Sequence, residues 1–310
     1  MSLLDVRAIS KRFGALKAVD AVSFQVGPGQ ICGFIGPNGA GKTTTMRICA
    51  TLELPDEGDV RIDGLSVLSE PRDARRRIGF MPDSYGAYSS TTIFEYLDFF
   101  ARAYELTGAR RREVLARVIE FTGLGELTEK EITSLSKGLK QRLCLAKTLL
   151  HDPPVMILDE PAAGLDPRAR VELRELVKAL AQMGKAILIS SHILTELAEM
   201  CSSVVVIERG QIKGGGAVGE VVRALQPTTT LFLRALEGPQ ACERRLLEQR
   251  GVSKVRLERD GVCFEFEGDA DGQATLFAEL ASSGLRPIEL AQQGKNLEDL
   301  FLSLTEGKLQ

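Results

Sequence analysis

The sequence predicts an α/β protein built on a buried, mostly parallel sheet, with a smaller α+β domain behind it. Three observations carry that expectation. A glycine-rich loop at residues 36–43 stands between an apolar run and a helix-forming stretch. Short, fully apolar runs recur through the first two-thirds of the chain, and the character of the sequence changes after Gln226-Pro227. A chain of 310 residues also suggests about two domains, since single cores seldom grow past about 250–300 residues.

Taken in order, Leu3–Ile9, Val19–Val26 and Asp59–Ile62 read as strands of a small antiparallel sheet, with Phe13 in the turn between the first two. Ile31–Ile35, Ile78–Met81, Val155–Leu158, Ala186–Ser190 and Val204–Ile207 are the candidate strands of the central sheet, apolar enough for burial on both faces. Between Met81 and Val155 lies a helical region, about residues 84–152. There Thr92–Tyr104, Arg111–Thr122 and Gly138–Leu150 place apolar residues at helical spacing. Pro55-Asp56-Glu57-Gly58 and Gly214-Gly215-Gly216 read as turns.

Beyond Pro227 the expected order is strand Thr229–Ala235, helix Gln240–Gln249, a hairpin of Lys254–Glu258 and Val262–Glu267 around Asp260-Gly261, helix Gln273–Ala281, strand Pro287–Ala291 and helix Leu297–Leu304. That βαββαβ order resembles a ferredoxin-like layer. The expected division is therefore 1–226 and 227–310.

Gly36-Pro37-Asn38-Gly39-Ala40-Gly41-Lys42-Thr43 fits the phosphate-binding loop G-x-x-x-x-G-K-[ST] at every fixed position. It follows Ile31–Ile35 and precedes Thr44-Thr45-Met46-Arg47-Ile48, the strand–loop–helix context this loop requires. Gly36, Gly39 and Gly41 let backbone N–H groups turn inward on an anion. The helix beginning near Lys42 adds its positive end, Lys42 a point charge, and Thr43 a hydroxyl for Mg²⁺. The chain is expected to bind a nucleoside triphosphate.

Val155-Met156-Ile157-Leu158 ends in Asp159-Glu160. Two adjacent carboxylates at the end of a buried strand are costly without a cation. The economical reading puts Asp159 on Mg²⁺ and Glu160 on the attacking water as general base.

Further motifs follow in a fixed order. Leu135-Ser136-Lys137-Gly138-Leu139-Lys140-Gln141-Arg142 resembles the LSGGQ signature of ABC ATPases, Ala163-Gly164-Leu165-Asp166 their D-loop, and Ser190-Ser191-His192 their H-switch. Pro82-Asp83 stands at the Q-loop position and Phe13 where the family stacks an aromatic ring on adenine. The resemblance covers roughly residues 3 to 225. It implies a P-loop NTPase with a RecA-like core, an antiparallel β subdomain and a helical subdomain, using ATP and Mg²⁺.

By that resemblance Asn38 and Thr44 complete the phosphate loop, while Ser136, Gly138 and Asp166 touch nucleotide across a dimer. His192 senses the γ-phosphate, or caps a helix at the surface. The chain holds one copy of each motif, so it is expected to pair with itself or with a homologous ATPase subunit. ATP binding would close the pair, hydrolysis would reopen it, and an integral membrane permease would follow. This places the chain in the cytoplasm, peripheral on the inner face of the membrane. An accessory domain like the one after Pro227 points to export, and its own role is expected to be docking or dimerisation.

Three residues depart from the common family pattern. Asp83 replaces Gln or Glu, keeping an oxygen for Mg²⁺ or water on a shorter side chain, or simply opening a turn after Pro82. Lys137 and Leu139 replace Gly and Gln. Ser136 reads as an N-cap for the helix that follows, whose first N–H groups make a second anion site.

The composition closes off other classes. A net charge of −3 gives no electrostatic case for nucleic-acid binding, and Arg75–Arg77 and Arg110–Arg112 read as solvated helix ends. Apolar runs fall short of the ~20 residues of a membrane-spanning helix, and the N-terminus has no signal-peptide core. Six scattered cysteines without C-x-x-C spacing read as reduced core thiols. The rival readings are a soluble ABC ATPase acting on nucleic acid or ribosomes and a non-catalytic nucleotide switch. Relatives of the first kind carry two cassettes, a coiled coil or zinc-binding cysteines; Glu160 and His192 argue against the second. Finally, the stretch after Asp83 is where the resembled family receives a cytoplasmic permease helix, so the resemblance implies that Tyr85, Tyr88 and Tyr96 line that groove, with Phe99 and Phe100 expected in the core.

Overall fold

The computed structural model describes residues 2–83, 90–191, 197, 199–218 and 229–292. The chain forms two compact units, Met1–Val218 and Gly219–Gln310. The expected boundary at Gln226-Pro227 lies outside the described residues, as does the expected helix Leu297–Leu304.

The first unit opens with β1 (Leu4–Phe13) and β2 (Leu16–Val26), paired antiparallel, with Phe13 opposite Leu16 at the tip. β4 (Glu57–Ile62) joins the other edge of β1, and the short β5 (Leu65–Ser66) completes a four-stranded sheet. Phe13 closes β1 instead of standing in the turn.

The central sheet holds the five strands expected from the apolar runs: β3 (Ile31–Ile35), β6 (Ile78–Met81), β7 (Val155–Leu158), β8 (Ala186–Ser191) and β9 (Ser203–Glu208). A sixth, β10 (Gln211–Ala217), gives the order β10-β9-β3-β8-β7-β6, parallel except for β10. β10 corrects the turn expected at Gly214–Gly216. The glycines admit close approach at an edge: a Cβ on Gly215 would stand 2.8 Å from the Val204 carbonyl oxygen. β3, β7 and β8 are buried along their whole length, as a sheet covered on both faces requires. α1 (Lys42–Cys49) packs Met46, Ile48 and Cys49 into the core shared by the two sheets.

Among the described residues two helices escaped the sequence reading, α2 (Pro71–Arg76) and α6 (Pro167–Gln182), each with proline in its first turn. The three expected in the insertion are α3 (Ile93–Ala103), α4 (Gly108–Phe121) and α5 (Lys137–Leu149). Thr92 and Glu95 form a capping box that fixes the start of α3.

The phase of α3 corrects the aromatic assignments. Ile93, Tyr96, Leu97 and Ala101 face inward at i, i+3, i+4 spacing, so Tyr96 is 3% exposed, its ring edge-on to Phe100. Phe99 lies on the opposite face, 55% exposed, and Phe100 is half-buried. Tyr96 is therefore core, and Phe99 surface. Tyr85 and Tyr88 lie outside the described residues.

In the second unit, β11 (Thr229–Ala235), α7 (Pro239–Leu247), β12 (Val252–Leu257), β13 (Val262–Phe266), α8 (Ala270–Ser282) and β14 (Pro287–Gln292) follow one another as expected. The antiparallel sheet runs β12-β13-β11-β14, the split βαβ arrangement. Leu231, Leu233, Val262, Phe264 and Phe266 meet Leu246, Leu276 and Leu280 of the helices in its own core.

All six cysteines are buried and none is disulfide-bonded. Among the described residues, no helix is long and apolar enough to cross a membrane.

Candidate functional site

The loop between β3 and α1 is shaped by what its glycines leave out. A Cβ on Gly36 would stand 2.4 Å from the Ile207 carbonyl oxygen, and one on Gly41 2.5 Å from that of Ala18. Gly41 also sits at φ +105°, a conformation L side chains seldom adopt. It begins α1 with no side-chain cap, so the first N–H groups of the helix have no side-chain acceptor at this end. Lys42 is 7% exposed, and its Nζ donates to the carbonyls of Gly36 at 2.6 Å and Pro37 at 3.2 Å. Burial holds its pKa below the usual lysine range, and the charges of Glu160 and Asp159 oppose that shift.

Asp159 and Glu160 leave the end of β7 beside this loop. Asp159 is 2% exposed. Burial pushes its carboxyl up, with the charges of Asp83 and Glu160 acting in the same direction, while the hydroxyls of Ser190 and Thr43 donate into it and pull it down. Ser190, at the end of β8, donates from Oγ to Asp159 Oδ1 at 2.7 Å and accepts the Glu160 N–H at 2.9 Å. Glu160 itself is half-buried and sits at φ +48°.

A cleft of about 860 Å³ opens over these groups. Its walls gather Phe13, Asn38, Gly39, Gly41, Lys42, Thr43, Thr44, Asp83 and Glu160, nine of the residues expected from the sequence. Phe13 is 48% exposed, so it is not a core residue. Leu16, Lys17, Ala18, Lys137, Ala163, Arg209 and Gly210 complete the lining.

The chemistry of the donor set fits Mg²⁺. Among the described residues no cluster of three or more acidic, histidine or cysteine side chains holds a metal by itself. Mg²⁺ does not need one; it usually takes one or two carboxylates plus substrate phosphates and water. Asp159 with the Thr43 hydroxyl in its reach, and Asp83 near enough to raise its pKa, are that kind of partial set.

Comparison with known proteins decides the family. Residues 19–163 match the family model described as ABC transporter. The Nod factor export ATP-binding protein I of Burkholderia pseudomallei (strain 1710b) is 33% identical over 312 residues, covering 97% of this chain and 96% of that protein. The chain belongs to the ABC transporter ATP-binding family. An uncharacterized ABC transporter ATP-binding protein of Bacillus subtilis (strain 168), YxlF, is 32% identical over 97% of this chain and 99% of its own length. A solved ATP-binding subunit of an ABC transporter superimposes with a TM-score of 0.65 at 32% identity, covering 72% of this chain and 93% of that one. The chain is thus an ATP-hydrolysing subunit of the kind that powers transport.

In this ABC ATPase the signature and D-loop segments pack on one another. Ser136 caps α5, its hydroxyl accepting the Leu139 N–H at 3.3 Å, and Asp166 caps α6, Oδ1 accepting the Ala169 N–H at 2.9 Å. A Cβ on Gly138 would stand 2.8 Å from the Ala169 Cβ, so only glycine lets the two helix starts approach. Lys137 lies over the D-loop: a Cβ on Gly164 would be 2.4 Å from its Nζ. Lys137 lines the cleft, whereas Ser136, Gly138 and Asp166 do not.

His192 lies outside the described residues. Sequence reasoning missed the part played by Ser190, although the switch from apolar residues to Ser190-Ser191 at the end of β8 is the signal that could have found it. It also missed Arg209 and Gly210, which no spacing rule connects to the phosphate loop.

Proposed function

We propose that this ATPase binds ATP with Mg²⁺ in the cleft over the phosphate loop, works as a dimer, and drives export through an integral membrane permease. One observation carries the catalytic part: the Ser190 hydroxyl joins Asp159 and Glu160 into one hydrogen-bonded unit beside Lys42 and Thr43. Phe13 takes the adenine, and the N–H groups of the loop with Lys42 take the β- and γ-phosphates. Thr43 and Asp159, with Asp83, hold Mg²⁺, which when bound neutralises phosphate charge. Glu160 accepts the proton of the attacking water, and His192 senses the γ-phosphate.

Dimerisation follows from the split between the two anion sites. Ser136 and Gly138 at the capped start of α5 do not line the cleft of their own chain, although Lys137 between them does. The free N–H groups and positive end of α5 suit a phosphate held by a second copy or a homologous subunit, with Asp166 beside it. Export is favoured by the relatives named for it and by the second unit after residue 218. The permease places the chain on the cytoplasmic face of the membrane; nucleic acid has no role. The exposed aromatics Phe94 and Phe99 on α3 suit the permease contact, in place of the buried Tyr96.

Glu160→Gln tests the central step. It should keep ATP affinity, slow multiple turnover by roughly 10²–10⁴-fold, and accumulate an ATP-bound dimer. Turnover at the parent rate would remove Glu160 from the mechanism; a parent chain without turnover would make it a nucleotide switch.

A further inference from the structure

The hairpin between β9 and β10 turns on two residues, Arg209 and Gly210, with Glu208 paired to Gln211 across it. Both central residues have positive φ, +49° and +78°, which defines a type I′ turn. The first position of such a turn favours Asn, Asp or Gly, residues that tolerate the left-handed region. An arginine there runs against the local preference. Arg209 is exposed, so core packing does not explain it either.

The turn is fixed in place by backbone bonds. Gly210 donates its N–H to the Ala40 carbonyl of the phosphate loop at 2.8 Å, and its carbonyl accepts the Asp20 N–H at 2.7 Å. The Gly210 Cα lies 3.5 Å from where a Cβ on Gly41 would be. Arg209 is thereby carried to the rim of the cleft, beside Leu16, Lys17 and Ala18 at the start of β2, the hairpin that ends in Phe13.

The charges around the cleft point the same way. Among the cleft cations, Lys17 is paired with Asp20, and Lys42 is buried against two carbonyls. Lys137 and Arg209 have no acidic partner among the described residues, and Lys137 stands at the D-loop. Lys11 Nζ stands 5.6 Å from the Phe13 ring centroid but is paired with Glu53 and Asp56. Of the two cleft-lining cations without an acidic partner, Arg209 is the one away from the D-loop. Its guanidinium offers only donors, which suit the ring nitrogens and ribose oxygens of a nucleoside. A backbone outlier held by its surroundings at a ligand cleft is a pointer to function.

We propose that Arg209 is a nucleotide-contacting residue that donates to the nucleoside half of ATP. The proposal rests on reading the cleft as the ATP site. The test is calorimetric binding of ATP, ADP and tripolyphosphate with Mg²⁺ to the parent, Arg209→Asn and Arg209→Lys, beside thermal unfolding of each. Asn suits the turn better than Arg, so Arg209→Asn should unfold at the parent temperature or above. It should nevertheless bind ATP and ADP roughly 3- to 10-fold more weakly, on the scale of tenfold per 1.4 kcal/mol, and tripolyphosphate as the parent does. Arg209→Lys should recover part of the loss. Parent-like ATP affinity in Arg209→Asn would overturn the proposal, and an equal loss for tripolyphosphate would overturn the assignment to the nucleoside. A parent that binds tripolyphosphate but gains nothing from the nucleoside would overturn the reading of the cleft itself, and the proposal with it.

Discussion

Ser190 holds Asp159 at 2.7 Å through the same hydroxyl that takes the Glu160 N–H at 2.9 Å. One side chain on β8 therefore orients both acidic residues at the end of β7. Ser190→Ala leaves the Glu160 N–H without its acceptor and removes one of the two hydroxyl donors, Ser190 and Thr43, of the buried Asp159. It should lower stability by about 1–3 kcal/mol. ATP hydrolysis should fall by roughly tenfold or more while ATP affinity, which the proposal assigns to the phosphate loop, changes little. Urea unfolding and steady-state turnover check both effects. Parent-like values in both would leave Ser190 without the orienting role.

Phe13 is the next test, because its exposure leaves it available to a base. Stacking is worth about 0.5–1.5 kcal/mol beyond area burial for aromatic pairs. Phe13→Ala should weaken ATP binding by around 3- to 10-fold and leave tripolyphosphate binding alone. Unchanged ATP affinity would assign the adenine to another wall of the cleft.

On α3 the two faces should respond oppositely. Tyr96→Ala opens a cavity in the core and should cost about 3 kcal/mol or more. Phe99→Ala should cost under about 1 kcal/mol, as exposed positions do. Phe99→Glu should then release the chain from membranes while sparing its ATPase activity in solution. Fractionation of cells that express the permease measures this; a Phe99→Glu chain that stays membrane-bound would move the permease contact off α3.

His151 gives a pH signature. Its ring stacks on Tyr104 at 4.2 Å, and Nε2–H donates to the Ile78 carbonyl at 2.8 Å. Burial lowers its pKa first of all; the Ile78 bond and Asp152 raise it, and Lys185 lowers it. The folded chain therefore takes this proton at lower pH than the unfolded chain does. The stability tied to neutral His151 is fully present above the unfolded value near 6.5 and is lost as pH falls through it toward the depressed folded value. Between about pH 7.5 and 5.5, the parent should lose more unfolding free energy than His151→Gln. The chain has 2 histidines, so few other groups titrate there. Parallel curves for the two proteins would contradict the shift.

Much of this fold was legible because its signals are local. The phosphate loop is eight consecutive residues, the acidic pair ends an apolar run, and every parallel strand was a short run of buried-type side chains. The order of the second unit could be read from its hairpin at Asp260-Gly261 and two amphipathic stretches. What escaped depends on registry in space. Ser190 meets Glu160 across 30 residues because β7 and β8 are neighbours. The three glycines of β10 look like a turn until β9 is beside them. The aptness of tyrosine for an interface suggests Tyr96 outside, and helical spacing suggests Phe99 inside, but the phase of α3 reverses both. Arg209 is ordinary in sequence and unusual only in its backbone.

Glu160 combines two properties with opposed demands. Its φ of +48° is one that glycine or asparagine adopts more readily than glutamate, by about 1 kcal/mol or more. Under the proposed role of Glu160 as general base, selection on folding alone would drift this position toward residues that cannot take the proton of water, and selection on turnover would be what retains a carboxylate of this length. Copies of the chain freed from the need to hydrolyse ATP, such as a partner in an asymmetric pair, should lose Glu160 early and become slightly more stable for it.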